Sequence, residues 1–458
     1  MFLNNLKKEV RMKEYDVVIV GGGPAGLTTG ISARNTYPDK KMALIRKEEI
    51  AMIPCGIPYT IHTLEKVEDD ILPDAPINKN NIDLIIDRVV NASDHSLELA
   101  SGEKITFRKL VIATGSVPFT PPIPGIDKKN VWFVKKEKNY LEKMKNGLNE
   151  AGTVIIIGGG FIGIEVADEL LKAGKKVYVI EKLPSLLPLA MDREFGEMAK
   201  EVLTSLGAEV LTGVTVKEIT GAESVDGVLL DNDKKIAGDA IVIAAGYRPN
   251  LELAKDLELK IEERYGIVVD EYLRTSREDI FAVGDCAVKR CCFTGEYSKI
   301  MLASTAMAQG RLAGSNLFEI KVIKGFPGTL GTFSTKIGNT AFGVSGLTEE
   351  QVKRIGVDYV VGINETVDRH PGKLPGASKI YTKLIYSKYS HMLLGAQVKG
   401  GDSVGELVNM YSVIIQNRMT DMEIDTLQIG THPLLTSSPI AYPVINATVN
   451  AILKWYKG

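Results

Sequence analysis

The sequence predicts an α/β fold in which two doubly wound nucleotide-binding domains are followed by a C-terminal α+β domain. Three observations carry this expectation. Two buried-strand patterns each run through a glycine-rich loop into a helix, once over 15–35 and again over 153–173. From residue 330 onward, strands and then helices follow without any such loop. The length of 458 residues exceeds what one hydrophobic core spans, so about two to four domains are expected.

Composition narrows the class. An apolar fraction of 45% and a charged fraction of 24% describe an ordinary globular chain. The net charge of −2 argues against nucleic acid or an anionic membrane as partner. No apolar run is long enough to span a bilayer. Residues 1–14 lack the apolar core of a secretion signal, and Met12 offers an alternative start. The four cysteines, Cys55, Cys286, Cys291 and Cys292, are too few and too uneven for a disulfide scaffold. No CxxC pair suggests a metal site. A reducing cytoplasm fits this usage.

The first unit begins with a strand over 15–20 and the loop Gly21-Gly22-Gly23-Pro24-Ala25-Gly26. Gly21, Gly23 and Gly26 supply the G-x-G-x-x-G spacing. The first glycine makes the tight turn, the second admits a pyrophosphate, and the third lets helix and strand close up. The next strand, 42–45, is expected to end in an acid for the adenosine ribose, yet it ends in Arg46-Lys47-Glu48-Glu49. Either Glu48 substitutes or backbone groups hold the ribose, and Arg46 then reads as a solvated surface charge.

Cys55 follows in Ile53-Pro54-Cys55-Gly56-Ile57-Pro58-Tyr59, ahead of a helix expected over 59–66. A small core residue is the bland reading. The flanking prolines and glycine instead fit a fixed loop at a helix start, where free N–H groups favour a thiolate. Short strands and turns then lead to 109–112 and the small-residue turn Ala113-Thr114-Gly115, where backbone can meet a cofactor. Pro118, Pro121, Pro122 and Pro124 make a stiff domain crossing.

The second unit has a strand over 153–157 and the loop Gly158-Gly159-Gly160-Phe161-Ile162-Gly163. Its second strand ends at Glu181, 18 residues after Gly163, where a carboxylate pairs with both ribose hydroxyls of NAD. That acid repels a 2′-phosphate, so NADH is expected over NADPH, with Lys182 softening the preference. The strand 239–245 and Gly246 echo the earlier turn and mark the return crossing. The strand 279–283 ends in Gly284-Asp285, an acid suited to a ligand hydroxyl. A small-residue helix over 304–316 closes this part. Strands over 336–342, 359–363, 379–386 and 392–398, with helices over 402–417 and 442–454, form a candidate interface domain.

As a set and in this order, the glycine loops, the small-residue turns, Gly284-Asp285 and Cys55-Gly56-Ile57-Pro58-Tyr59 resemble the pyridine nucleotide-disulfide oxidoreductases from end to end. The similarity is greatest to the single-cysteine branch of coenzyme A disulfide reductases, NADH oxidases, NADH peroxidases and sulfur reductases. The resemblance implies FAD at Gly21, Gly23 and Gly26 with Asp285 on the ribityl chain. It implies NAD at Gly158, Gly160, Gly163 and Glu181, an aromatic gate at Phe161 and an acid near the nicotinamide at Glu165. It implies an FAD domain from 12–118 and 251–325, an NAD domain at 119–250, and dimerisation through 326–458. Two-cysteine relatives carry Cys-x4-Cys, but position 60 here is threonine. Cys55 must therefore store oxidising equivalents as a mixed disulfide, sulfenic acid or persulfide.

Thr431-His432-Pro433 resembles the His-Pro of glutathione-reductase-like enzymes, making His432 a candidate acid/base, with Tyr442 as its rival. Arg34 is weighed between a coenzyme A phosphate ligand and a surface charge. Cys291-Cys292 reads as an inert pair and Cys286 as packing. The expected activity is NADH-dependent reduction of a small disulfide, coenzyme A disulfide or polysulfide. The alternative acceptor is oxygen or peroxide. A redox-sensing flavoprotein and a reductase for a small iron–sulfur protein are the rivals from other classes.

Overall fold

The computed structural model describes residues 12–456; most of the 1–14 segment lies outside them. β1 (Met12–Val20) enters the core at Tyr15 and is flanked in parallel by β2 (Met42–Arg46) and β3 (Lys104–Ile112). Val17, Val18 and Ile19 have no exposed surface, as a strand covered on both faces requires. Between the first two strands runs α1 (Pro24–Thr36), which starts on a proline whose fixed φ suits a first turn. Its first turn holds no acid, so nothing opposes an anion there.

The chain then crosses to a second parallel sheet. α2 (Lys138–Glu150) precedes β4 (Thr153–Ile157), α3 (Phe161–Lys172) and β5 (Lys176–Glu181), and β6 (Ala240–Ile243) lies on the other side of β4. The outgoing and returning connectors pair with each other as the antiparallel strands Ser116–Pro118 and Tyr247–Pro249. β7 (Ile280–Ala282) then rejoins the first sheet beside β3. α4 (Ala303–Ser315) packs tightly on α1, because a Cβ at Gly310 would lie 2.7 Å from the Ala25 carbonyl oxygen.

Strands after residue 332 form an antiparallel five-stranded sheet: β8 (Phe333–Ile337), β9 (Thr340–Gly346), β10 (Tyr359–Val367), β11 (Lys379–Ser387) and β12 (Leu393–Gly400). α5 (Val404–Gln416) and α6 (Pro443–Trp455) pack on it. The sequence reading placed one strand at 336–342. The chain instead turns there as a hairpin, with Gly338 in the left-handed region at φ +54. The fold class is therefore as expected: two doubly wound α/β units and an α+β domain.

Candidate functional site

The two glycine loops superpose in kind. Gly21 and Gly158 adopt φ +120 and +117, which strain any side chain. A Cβ on Gly21 would sit on the Ala113 carbonyl, and one on Gly158 on the Ala244 carbonyl. A Cβ on Gly26 or Gly163 would overlap the carbonyl oxygen of Gly21 or Gly158. Gly23, Gly115, Gly160 and Gly246, by contrast, face open space. That combination leaves a backbone cradle at the start of each helix, with Pro24, Ala25, Phe161 and Ile162 opening the two first turns. The connectors draw the two turns together. The Thr114 hydroxyl donates to the Asn250 carbonyl at 3.1 Å, and Asn250 N–H to that of Gly115 at 2.9 Å.

The strand-end residues differ. The Glu181 carboxylate accepts from Gly159 N–H at 2.7 Å and Leu183 N–H at 2.8 Å, holding the second loop closed from below. Arg46 takes the equivalent place in the first unit. It is 4% exposed, so the surface-charge reading is corrected. Its guanidinium grips Asp74 at 2.5 and 2.8 Å and donates to the Glu48 and Glu49 carbonyls, which compensates its burial.

Cys55 is a free, solvent-exposed thiol. The helix expected after it is absent: only a four-residue 3-10 turn, Ile57–Thr60, follows, and the chain continues in turns. Pro58 and the Thr60 hydroxyl, which donates to the Ile57 carbonyl at 2.7 Å, favour that tight turn over a propagating helix. So short a turn has little dipole, and the expected stabilisation of the thiolate fails. Partial burial and the Glu165 carboxylate push the Cys55 thiol up, against an opposing pull from Lys136. Asp285 and Asp70 push in the same direction as Glu165.

The segment after Cys55 is held by the second unit. Lys145 of α2 donates to the carbonyls of Thr60, Leu64 and Glu65 at 2.8–2.9 Å. Glu169 of α3 accepts from Thr63 N–H at 2.6 Å and its hydroxyl at 2.7 Å. On the other side of α3, the Phe161 ring stacks on Phe333 at 4.8 Å and 10°. The Thr335 hydroxyl donates to Glu165 at 2.8 Å, and Gly338 N–H to Asp168 at 2.9 Å. Burial nevertheless pushes Glu165 up to about 7. Asp285 accepts from the Ser116 hydroxyl at 2.7 Å, with Lys136 Nζ at 3.5 Å.

The sequence model for pyridine nucleotide-disulphide oxidoreductases matches residues 15–310. The chain belongs to this family. The family's dimerisation domain matches residues 332–440. An NADH oxidase of Methanocaldococcus jannaschii is 31% identical over 454 residues, covering 95% of this chain and 98% of that protein. An NAD(P)H coenzyme A polysulfide/persulfide reductase of Pyrococcus horikoshii is 32% identical over 412 residues, covering 87% and 88%. Among solved structures, an NAD-dependent persulfide reductase from A. fulgidus aligns with a TM-score of 0.89 at 30% identity, covering 96% of this chain and 84% of that one.

As a pyridine nucleotide-disulphide oxidoreductase, the chain is an enzyme that uses FAD and a nicotinamide dinucleotide. The cradles fit such groups: open glycine faces, helix starts free of acids, and Asp285 beside the turns. Among the described residues, no helix is long and apolar enough to cross a membrane.

Other sequence candidates separate from this cluster. His432 is exposed, its Nδ1 accepting from Leu434 N–H at 3.2 Å. Tyr442 is 9% exposed in the C-terminal core, where burial pushes its phenol up. Arg34 donates to the carbonyls of Asn80, Pro38, Lys40 and Asn81, so its fork is already committed to backbone and the phosphate reading is corrected. Cys286 is fully buried and packs as expected. Cys291 and Cys292 are free thiols.

Several contributors escaped the sequence reading. Phe333 and Thr335 lie ahead of the strand that the sequence predicts from 336, in the opening residues of β8. Lys289 is 2% exposed and donates to the Gly284 and Ala287 carbonyls, fixing the Gly284-Asp285 turn from below. Its only sequence signal was a lysine inside an apolar stretch.

Proposed function

We propose that this enzyme uses NADH to reduce a small disulfide, coenzyme A disulfide or polysulfide through Cys55. The observation that carries the reading is a free, exposed cysteine within electrostatic reach of Glu165 and Asp285, with Thr60 where a second cysteine would close a disulfide. The similarity to the polysulfide/persulfide reductases of Pyrococcus horikoshii and A. fulgidus supports the acceptor class. Within this reading, 12–118 and 251–325 hold FAD through Gly21, Gly23, Gly26, Ala113, Thr114, Gly115 and Asp285. Residues 119–250 hold NADH through Gly158, Gly160, Gly163 and Gly246, and 326–458 make the homodimer.

The chain's own groups then have definite tasks. Glu181, whose two oxygens each accept one loop amide, uses its remaining lone pairs to accept the ribose hydroxyls of NADH, and it disfavours a 2′-phosphate. Phe161 leaves Phe333 to admit the nicotinamide beside Glu165. Bound FAD supplies the two-electron relay between dinucleotide and sulfur. The Cys55 thiolate attacks the incoming disulfide, and the displaced thiolate takes its proton from His432 supplied across the homodimer rather than from the buried Tyr442. A cytoplasmic setting suits four free thiols.

The match to the NADH oxidase over 95% of the chain favours one second reading, oxygen or peroxide as acceptor with Cys55 cycling through sulfenic acid. Anaerobic NADH oxidation with coenzyme A disulfide or polysulfide separates the two, wild type beside Cys55→Ser. Fast turnover lost in the variant supports the disulfide or sulfur reductase. Turnover that begins only when oxygen or peroxide is admitted sinks it and moves the assignment to an oxidase or peroxidase.

A further inference from the structure

We propose that Asp70 is a positioning residue for Cys55: its carboxyl group, seated under Gly56, governs how readily the thiol ionises and leaves. The inference rests on the reading of Cys55 as the redox-active sulfur and adds a regulator of that sulfur.

Backbone pairing sets the placement. Ile53 N–H donates to the Asp70 carbonyl and Leu72 N–H to that of Ala51, both at 2.9 Å, around a Met52–Ile71 bridge. This short ladder lays Asp70 beneath the cysteine loop. A Cβ on Gly56 would overlap Asp70 Oδ1 and lie 2.7 Å from its Cγ. Gly56 has φ −85 and ψ −17, values any residue adopts, so its backbone does not demand glycine. The carboxyl group does, by occupying the side-chain space next to Cys55.

Asp70 is also an unusual acid. It is 3% exposed, and its Oδ2 is buried without a hydrogen-bond partner. An unpartnered buried carboxyl is costly, and a turn of this kind is easily built without one. Burial alone pushes Asp70 up to about 6. Around the thiol itself stand Glu165 from α3, Lys136 ahead of α2, and Asp285 after β7. Asp70 and Glu165 thus both change charge close to neutrality.

The chemical consequence follows from leaving-group ability. Thiolate attack joins Cys55 Sγ to one sulfur of the substrate and breaks the substrate S–S bond, releasing the other half as a thiolate that takes a proton. A bulk thiol attacking the outer sulfur of that mixed disulfide must expel Cys55 as thiolate. A carboxylate behind Cys55 disfavours that expulsion. The mixed disulfide then persists until two electrons from NADH reduce it to Cys55 thiolate and the second substrate thiolate.

The test is the rate of Cys55 alkylation by iodoacetamide in the reduced flavoenzyme, followed anaerobically from about pH 5 to about pH 9, with Cys55→Ser as background. Wild type is expected to show two inflections, near pH 6 and near pH 7; Asp70→Asn loses the lower one and Glu165→Gln the upper one. Asp70→Asn is expected to react about threefold faster or more at pH 7. Superimposable wild-type and Asp70→Asn profiles overturn the proposal. If Asp70→Asn fails to fold, the wild-type and Glu165→Gln profiles decide, and the absence of the inflection near pH 6 from both overturns it. Alkylation needs no acceptor, so an error in the acceptor assignment would show only in turnover.

Discussion

The two nucleotide cradles share a main chain and differ at one side chain. Gly21 and Gly158 bond to the ends of their second strands alike, their N–H groups donating to Ile45 and Ile180 at 2.8 and 2.9 Å. Yet the next residue is a buried cation in one unit and a buried carboxylate in the other. Arg46 needs Asp74 and two carbonyls to stay buried, whereas Glu181 is satisfied by the loop amides themselves. The comparison teaches that the shape of each glycine loop is set by backbone alone. The strand-end residue is then free to serve either ligand selection or local stability.

The most severe way to break the parallel is to fill its tightest points. Gly26→Ala is expected to give protein without flavin by absorbance, because the new Cβ collides with the Gly21 carbonyl. Gly163→Ala is expected to keep flavin and lose NADH-dependent flavin reduction, read by anaerobic stopped flow. Loss of flavin in both would show that the cradles are not independent.

Exchange of the strand-end residue probes selection next. Glu181→Ala removes about 1.5–3 kcal/mol of charged hydrogen bonding, or roughly tenfold to a hundredfold in the KM for NADH. The NADH over NADPH preference narrows with it. Arg46→Met is expected to leave NADH kinetics unchanged and to cost about 1 kcal/mol of stability, since the Asp74 carboxylate it releases is partly solvated, measured by denaturant unfolding. A changed dinucleotide preference in this variant would contradict the division of labour.

The smallest effect concerns pH. Glu165 is raised in the folded chain above its unfolded value of 4.5 to about 7. The folded state therefore binds more protons across that window, and stability falls as pH rises through it. Glu165→Gln should melt a few degrees higher than wild type at pH 8, with the gap closing towards pH 4.5. An equal gap at both pH values would show that ionisation is not the cause.

Strands, glycine loops and their order were legible because period and composition encode them locally. The strand over 153–157 was read with the bounds it has. What was illegible depended on distant partners. Arg34 could not be recognised as a backbone clamp without knowing that Pro38, Lys40, Asn80 and Asn81 converge on it. The helix after Cys55 was inferred from proline and glycine placement, signals that a 3-10 turn shares. Phe333 and Thr335 gained meaning only once β8 lay against α3.

Lys145 and Glu169 bind the segment that follows Cys55, although the cysteine and the two helices lie on opposite sides of a domain crossing. For protein engineering this makes the modules less interchangeable than their folds imply. Under the proposed function, a chimera that imports another unit over 119–250 inherits that unit's coenzyme choice. It also discards two of the anchors of its own redox centre, unless the graft carries a lysine and a glutamate at those two helical positions.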